Sequence, residues 1–191
     1  MRLFVALELG QDARKLLADC QRRLAAVDRH VRWVRPEQIH LTLKFLGEVP
    51  DERVPAVARA LDPLGQSGPV TFVMDGAGWF GSARAPRVVW VGIRWPNPAL
   101  AALQKNCETR LAELGFPPEG RPFHPHLTLG RVREGRGGPE VVPAVDALQA
   151  QGVGPLEQTA AEVILFESRL HRDGAQYIRA HAVALRGGEN P

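Results

Sequence analysis

Apolar positions along this chain follow two rhythms: short runs of β-type residues, and stretches with a period near 3.6. Residues 2–9 predict an opening strand. Residues 12–26, with Leu16, Leu17, Cys20 and Leu24 on one face, predict a helix. A short strand is expected at 31–34, ended by Arg35-Pro36, and a longer one at 39–46, closed by Gly47. The span 51–64 reads as a helix capped by Asp51, with Pro55 in or near its first turn. Residues 70–73 start another strand, and 75–85 are rich in turn formers.

The order then begins again. A strand is expected at 87–95, and a helix at 97–114 with Asn97 as cap and Pro98 at its first position. A loop at 115–122, a strand at 124–131 and a helix at 139–150 follow. The last strands, 156–168 and 176–185, are joined through Arg172-Asp173-Gly174, a hairpin signal. Short stretches recur in the same sequence. His40-Leu41-Thr42-Leu43 returns as His126-Leu127-Thr128-Leu129 (126 − 40 = 86), and Phe80-Gly81-Ser82 matches Phe166-Glu167-Ser168 (166 − 80 = 86). Val54-Pro55-Ala56-Val57 returns as Val142-Pro143-Ala144-Val145 (142 − 54 = 88), and Cys20-Gln21-Arg22-Arg23 is echoed from Cys107 (107 − 20 = 87). Four markers in one order at a nearly constant offset point to a duplication. The expectation is one domain over 1–191, built from two lobes at about 1–85 and 86–185. Each lobe runs strand–helix–strand–helix–strand, and the two motif strands face each other across a central cleft.

The duplicated motif carries the chemistry. On a strand, side chains alternate, so His40 and Thr42 share one face while Leu41 and Leu43 share the other. His126 and Thr128 repeat the arrangement. Cleaving a phosphodiester requires one group to accept a proton from the attacking oxygen and another to supply one to the departing oxygen, and two histidines do both near neutral pH. The threonine hydroxyls can donate to the non-bridging oxygens. A lone His-x-Thr in a strand is commonplace, but a merely structural strand gives no reason to keep the polar pair in both copies.

Other candidates follow from parity. Lys44 shares the face of His40 and Thr42 and offers a cation; its twin is Gly130. Arg131 would face away from His126 in a regular strand, and contributes only if the strand bends or ends at Gly130. Phe45, with the parity of Leu41 and Leu43, is expected in the core, although it joins Trp33, Trp79, Phe80 and Phe123 as a candidate surface against a base. His124, two residues before His126, is a candidate lining residue. No cluster of further ligands accompanies the two, so no metal site is expected. Arg32, Arg35 and Arg121 are candidates to line an RNA path.

Composition narrows the class. The 191 residues are 45% hydrophobic and 24% charged with mean hydropathy −0.17, which suits one globular domain. No apolar run has the length of a membrane span, and the N-terminal run meets Glu8 too early for a secretory leader, so a cytoplasmic location is expected. The two cysteines, Cys20 and Cys107, fall in helical patterns as small buried residues. A net charge of +3, carried by arginine, fits an anionic ligand. No long apolar stripe is left for a partner, and a monomer is expected.

These motifs, with Arg2-Leu3-Phe4-Val5-Ala6-Leu7 before them, Phe45-Leu46-Gly47 and Gly130-Arg131 after them, and 166–177 near the end, resemble the two-histidine (2H) phosphoesterases. Within these, the chain is most similar to the RNA 2′,3′-cyclic phosphodiesterases, also called LigT-like 2′-5′ RNA ligases. The resemblance implies an α+β fold with two antiparallel sheets around a concave cleft and helices outside. It implies hydrolysis of an RNA 2′,3′-cyclic phosphate end, for example on a tRNA fragment, to a 2′-phosphate, with no cofactor and no metal. By analogy His40 is the proton donor to the departing 3′-oxygen and His126 the acceptor that activates water; near-symmetry leaves the residues themselves silent on that assignment. Thr42, Thr128 and Arg131 would hold the phosphate, and reversal would join a cyclic end to a 5′-hydroxyl. Gly130 departs from the family's pattern, where alanine is frequent. The alternatives are a phosphodiesterase for another cyclic or 2′-5′ linked nucleotide, and a non-catalytic RNA- or nucleotide-binding module.

Overall fold

A computed structural model describes residues 1–133, 138–171 and 174–187. Its strands form two antiparallel sheets. In the first, β1 (Arg2–Leu7) lies between β3 (Leu41–Glu48) and β8 (Glu162–His171), and β9 (Gly174–Ala184) forms the far edge. In the second the order is β2 (Val31–Trp33), β6 (His126–Val132), β5 (Ala85–Ile93), β4 (Val70–Ser82) and β7 (Leu156–Ala160). Each sheet therefore takes strands from both the early and the late part of the chain.

Among the described residues four α-helices complete the α+β fold: α1 (Gln11–Arg23), α2 (Val54–Leu61), α3 (Pro98–Glu113) and α4 (Gly138–Gln151). Leu100, Leu103, Cys107 and Leu111 put one stripe of α3 in the core, and Asn97 caps it by accepting from the Leu100 amide at 3.0 Å. Helix side chains such as Leu17, Leu103 and Val141 join the motif leucines Leu41, Leu43, Leu127 and Leu129 in one buried cluster. The leucine faces of both motif strands are thus the core faces. Both cysteines are buried and free, and no helix among the described residues is long and apolar enough to cross a membrane.

Three expectations change. Most of the span 75–85 continues β4, which runs for 13 residues to Ser82 and turns at 83–84 into β5. Its glycines make room rather than turns: a Cβ on Gly78 would collide with the Trp90 ring. The span 156–168 divides at Ala161, its first part staying beside β4 and its second crossing to β1. Of 51–64 only α2 is α-helical, flanked by 3-10 turns over Asp51–Arg53 and Asp62–Ser67. The expected Arg172-Asp173-Gly174 turn falls largely outside the described residues.

Candidate active site

Two matching irregularities shape the motif strands. In the β1–β3 pairing, Val5 stands opposite Lys44 and Ala6 opposite Thr42, which leaves Leu43 as an extra residue. In the β5–β6 pairing, Val89 stands opposite Gly130 and Trp90 opposite Thr128, which leaves Leu129 over. A bulge of this kind reverses the alternation beyond it. Lys44 is consequently buried with Leu43, at 2% exposure, and Phe45 emerges at 57%. Gly130 is likewise buried with Leu129, and Arg131 emerges.

The parity expectations are corrected accordingly. The ammonium of Lys44 is not offered to the histidine face; it donates to Glu108 Oε2 and to the Pro117 carbonyl, each at 2.8 Å, so the side chain fastens β3 to α3 and to the loop after it. Phe45 is not a core residue but lines the cleft beside His40 and Thr42. Arg131 joins the side of His126 and Thr128 because the bulge supplies the bend that a regular strand lacks. Phe45 and Arg131 are counterparts (131 − 45 = 86), one aromatic and one cationic.

The histidines are held alike. His40 Nδ1 lies 2.9 Å from the Gln38 carbonyl, and His126 Nδ1 lies 2.8 Å from the His124 carbonyl. A carbonyl only accepts, so each Nδ1 carries a hydrogen and each neutral ring keeps its lone pair on Nε2. Aromatic neighbours press on both rings. His40 stacks on Phe4 at 4.6 Å between centroids and meets the edge of Tyr177 at 5.1 Å; His126 meets Phe80 edge-on at 4.8 Å. Burial is the main reason the His40 pKa falls from 6.5 to about 4. The Gln38 carbonyl opposes that shift, and the charges of His126 and Arg131 reinforce it. Burial also lowers His126, helped by the charges of His124 and Arg131. With both pKa values lowered from 6.5, the neutral form of each ring predominates at pH 7.

One hollow of about 530 Å³ contains His40, Thr42, His126, Thr128 and Arg131. No hydrogen bond or ion pair within the described residues occupies the threonine hydroxyls or the Arg131 guanidinium, which leaves them for a ligand. A larger arm of about 1020 Å³ shares Thr42, Phe45, His126 and Arg131 with this hollow and continues past His124 and Phe123 to Arg121. Lys44 borders that arm, with its charged end directed to Glu108. Arg32, Arg35, Trp33 and Trp79 line neither space. Trp33 is tied to Asp28 through its indole N–H at 2.6 Å. Among the described residues no three His, Cys, Asp or Glu side chains gather as metal donors.

Parity missed the aromatic frame, with Tyr177 and Phe4 as its members nearest His40. The repeat does contain its signal: Phe4, His40 and Phe80 correspond at one offset of 86 to Trp90, His126 and Phe166. Phe4 lies 5.2 Å from Phe166, and Trp90 lies 5.3 Å from Phe80, so the two clusters are built from corresponding residues.

Comparison with known proteins adds kinship to this geometry. The family model described as LigT like phosphoesterase matches residues 7–90 and 93–177. An RNA 2′,3′-cyclic phosphodiesterase of Methanothermobacter thermautotrophicus is 33% identical over 178 residues, covering 93% of this chain and 95% of the relative. The Escherichia coli protein of the same description is 37% identical over 131 residues, 68% of this chain and 71% of that one. A Thermus thermophilus crystal structure superposes with a TM-score of 0.84 at 29% identity, covering 98% of this chain and 99% of that one. Escherichia coli LigT complexed with 3′-AMP gives 0.77 at 29% identity, with 96% and 97% covered.

Proposed function

We propose, for a chain that belongs to the LigT like phosphoesterase family, that it is an RNA 2′,3′-cyclic phosphodiesterase that opens the terminal ring to a 2′-phosphate. One observation carries the reading: both motif histidines enter a single hollow with Nδ1 tied to backbone and Nε2 left for a ligand.

The reaction follows from that arrangement. His126 Nε2 takes a proton from water as the water oxygen bonds to phosphorus; the bond from phosphorus to the 3′-oxygen breaks, and protonated His40 Nε2 gives its proton to that oxygen. Thr42, Thr128 and Arg131 hold the non-bridging oxygens as charge grows on them. The anionic substrate favours one protonated ring in the pair, so the pair carries one proton before and after each turnover. The symmetric tethering is compatible with either direction of transfer, and His40 is taken as the donor by analogy with the family. A 5′-hydroxyl in place of water would reverse the step and form a 2′-5′ linkage. Ring opening is the downhill direction, so hydrolysis is the principal activity. On this reading the enzyme works without metal as a cytoplasmic monomer, and its substrates include the cyclic ends of tRNA fragments.

The test is a short RNA with a 2′,3′-cyclic phosphate, incubated with the protein in EDTA, followed by identification of the product terminus. A 2′-phosphate is expected, with a loss of about 10²–10⁴-fold in His40→Ala and in His126→Ala. RNA binding without turnover by the wild type would instead establish a binding module, and turnover of other cyclic nucleotides alone would move the substrate class.

A further inference from the structure

The cleft is larger than ring opening requires. The hollow with both motifs holds about 530 Å³, yet the adjoining arm holds about 1020 Å³, and even drug-sized ligands fill pockets of roughly 300–1000 Å³. Two exposed arginines line this arm, Arg87 on β5 and Arg121 in the loop after α3. Several arginines of this protein are held by carboxylates: Arg22 by Asp19, Arg94 by Asp75, Arg179 by Glu162. Among the described residues Arg87 and Arg121 have no ion pair or side-chain hydrogen bond. Arg131 borders both spaces, so the arm carries three arginines in all and one of them also faces the motif hollow. Among the described residues Glu119 is the one carboxylate that lines the arm, against the guanidiniums of Arg87, Arg121 and Arg131.

The loop that carries Arg121 is also fastened. It has no regular secondary structure, but the buried Lys44 ammonium holds the Pro117 carbonyl at 2.8 Å from beneath. Fixing the backbone in advance lowers the entropy lost when Arg121 engages a ligand.

We infer that the larger arm is a second phosphate subsite, in which Arg87 and Arg121 receive the internal phosphodiester on the 5′ side of the terminal nucleotide. The inference rests on the cyclic phosphodiesterase reading. That phosphodiester is what an RNA end has and a free cyclic mononucleotide lacks, and planar guanidiniums pair with phosphate oxygens in bidentate fashion. The subsite makes the enzyme select chain ends over free cyclic nucleotides.

The experiment compares 2′,3′-cyclic AMP with a pentaadenylate ending in a 2′,3′-cyclic phosphate. The wild type is expected to show the higher kcat/KM on the pentamer. Arg87→Ala and Arg121→Ala each bring the ratio of the two specificity constants about tenfold closer to one, through KM for the pentamer, and Arg→Lys at either site restores part of it. An unchanged ratio in the double variant, or no wild-type preference, overturns the subsite. If the wild type hydrolyses neither substrate, the cyclic phosphodiesterase reading fails. Fluorescence anisotropy of the labelled pentamer then still decides: undiminished binding by the double variant overturns the subsite, and binding weakened about tenfold supports it.

Discussion

At the two motif histidines, burial and hydrogen bonding pull in opposite directions, and burial wins. His40 titrates near 4 against an ordinary 6.5. The unfolded chain therefore binds more protons than the folded one between those values, and the native state loses stability as pH falls from about 6.5 through 4. The loss from this one ring is at most about 3 kcal/mol. Urea unfolding at pH 7.5 and pH 4 should show a smaller drop for His40→Asn than for the wild type. An equal drop would place the acid sensitivity elsewhere. Lys44 is the opposite case, a buried charge that stays paired. Removing it as Lys44→Met leaves the Pro117 carbonyl without this donor and the Glu108 carboxylate, 14% exposed, with only the long 3.4 Å bond from Gln104, at a cost of about 3–5 kcal/mol. The double variant Lys44→Met, Glu108→Leu should recover much of that, measured by the same unfolding experiment.

Strand alternation explains both what the sequence displayed and what it hid. His40 with Thr42 and His126 with Thr128 precede the bulges, so simple parity places them correctly beside one another. Beyond the bulges the same rule inverts, which is why Lys44 and Phe45 exchange sides and Arg131 comes into the cleft. Nothing in Leu43-Lys44 marks a bulge, because an apolar residue followed by a lysine fits ordinary alternation. The repeat held the missing clue: Lys44 corresponds to Gly130, where no side chain competes for the core. Gly130 also has a steric reason of its own. A Cβ would stand 2.5 Å from Val31 Cγ1 and 2.8 Å from the Trp33 ring, because β2 lies close against β6 at this point. Gly130→Ala is therefore expected to cost about 1–3 kcal/mol and, by shifting the residue before Arg131, to raise KM for the cyclic end more than it lowers kcat. A variant as stable as the wild type would show that β2 yields freely.

The two sheets are completed only when early and late parts of the chain come together. β1 has β3 on one side and β8 on the other, and β4 lies between β5 and β7. The repeat itself is broken to achieve this: residues 70–82 form one strand, while their counterparts at 156–168 divide between the sheets. The buried cluster is also shared, joining Leu3, Leu41 and Leu165 of one sheet with Phe72, Val89 and Leu127 of the other. A segment 1–85 alone would leave β1 with a bare edge, and β4 with two, above apolar faces that no longer have their cover. The segment 86–191 would lack β1 as the neighbour of β8, and β4 as the bridge from β5 to β7. Neither segment should fold alone. The intact protein should unfold in one cooperative step, with both motif strands lost together, as denaturant titrations followed by far-ultraviolet circular dichroism and by tryptophan fluorescence can establish. Coincident curves are expected, together with weak, non-cooperative signals from each isolated segment and recovery when the two are refolded as a mixture. A cooperative transition in either segment alone would show that the duplication still encodes independent units. The histidine pair would then arise from docking two folded halves rather than from the closure of shared sheets.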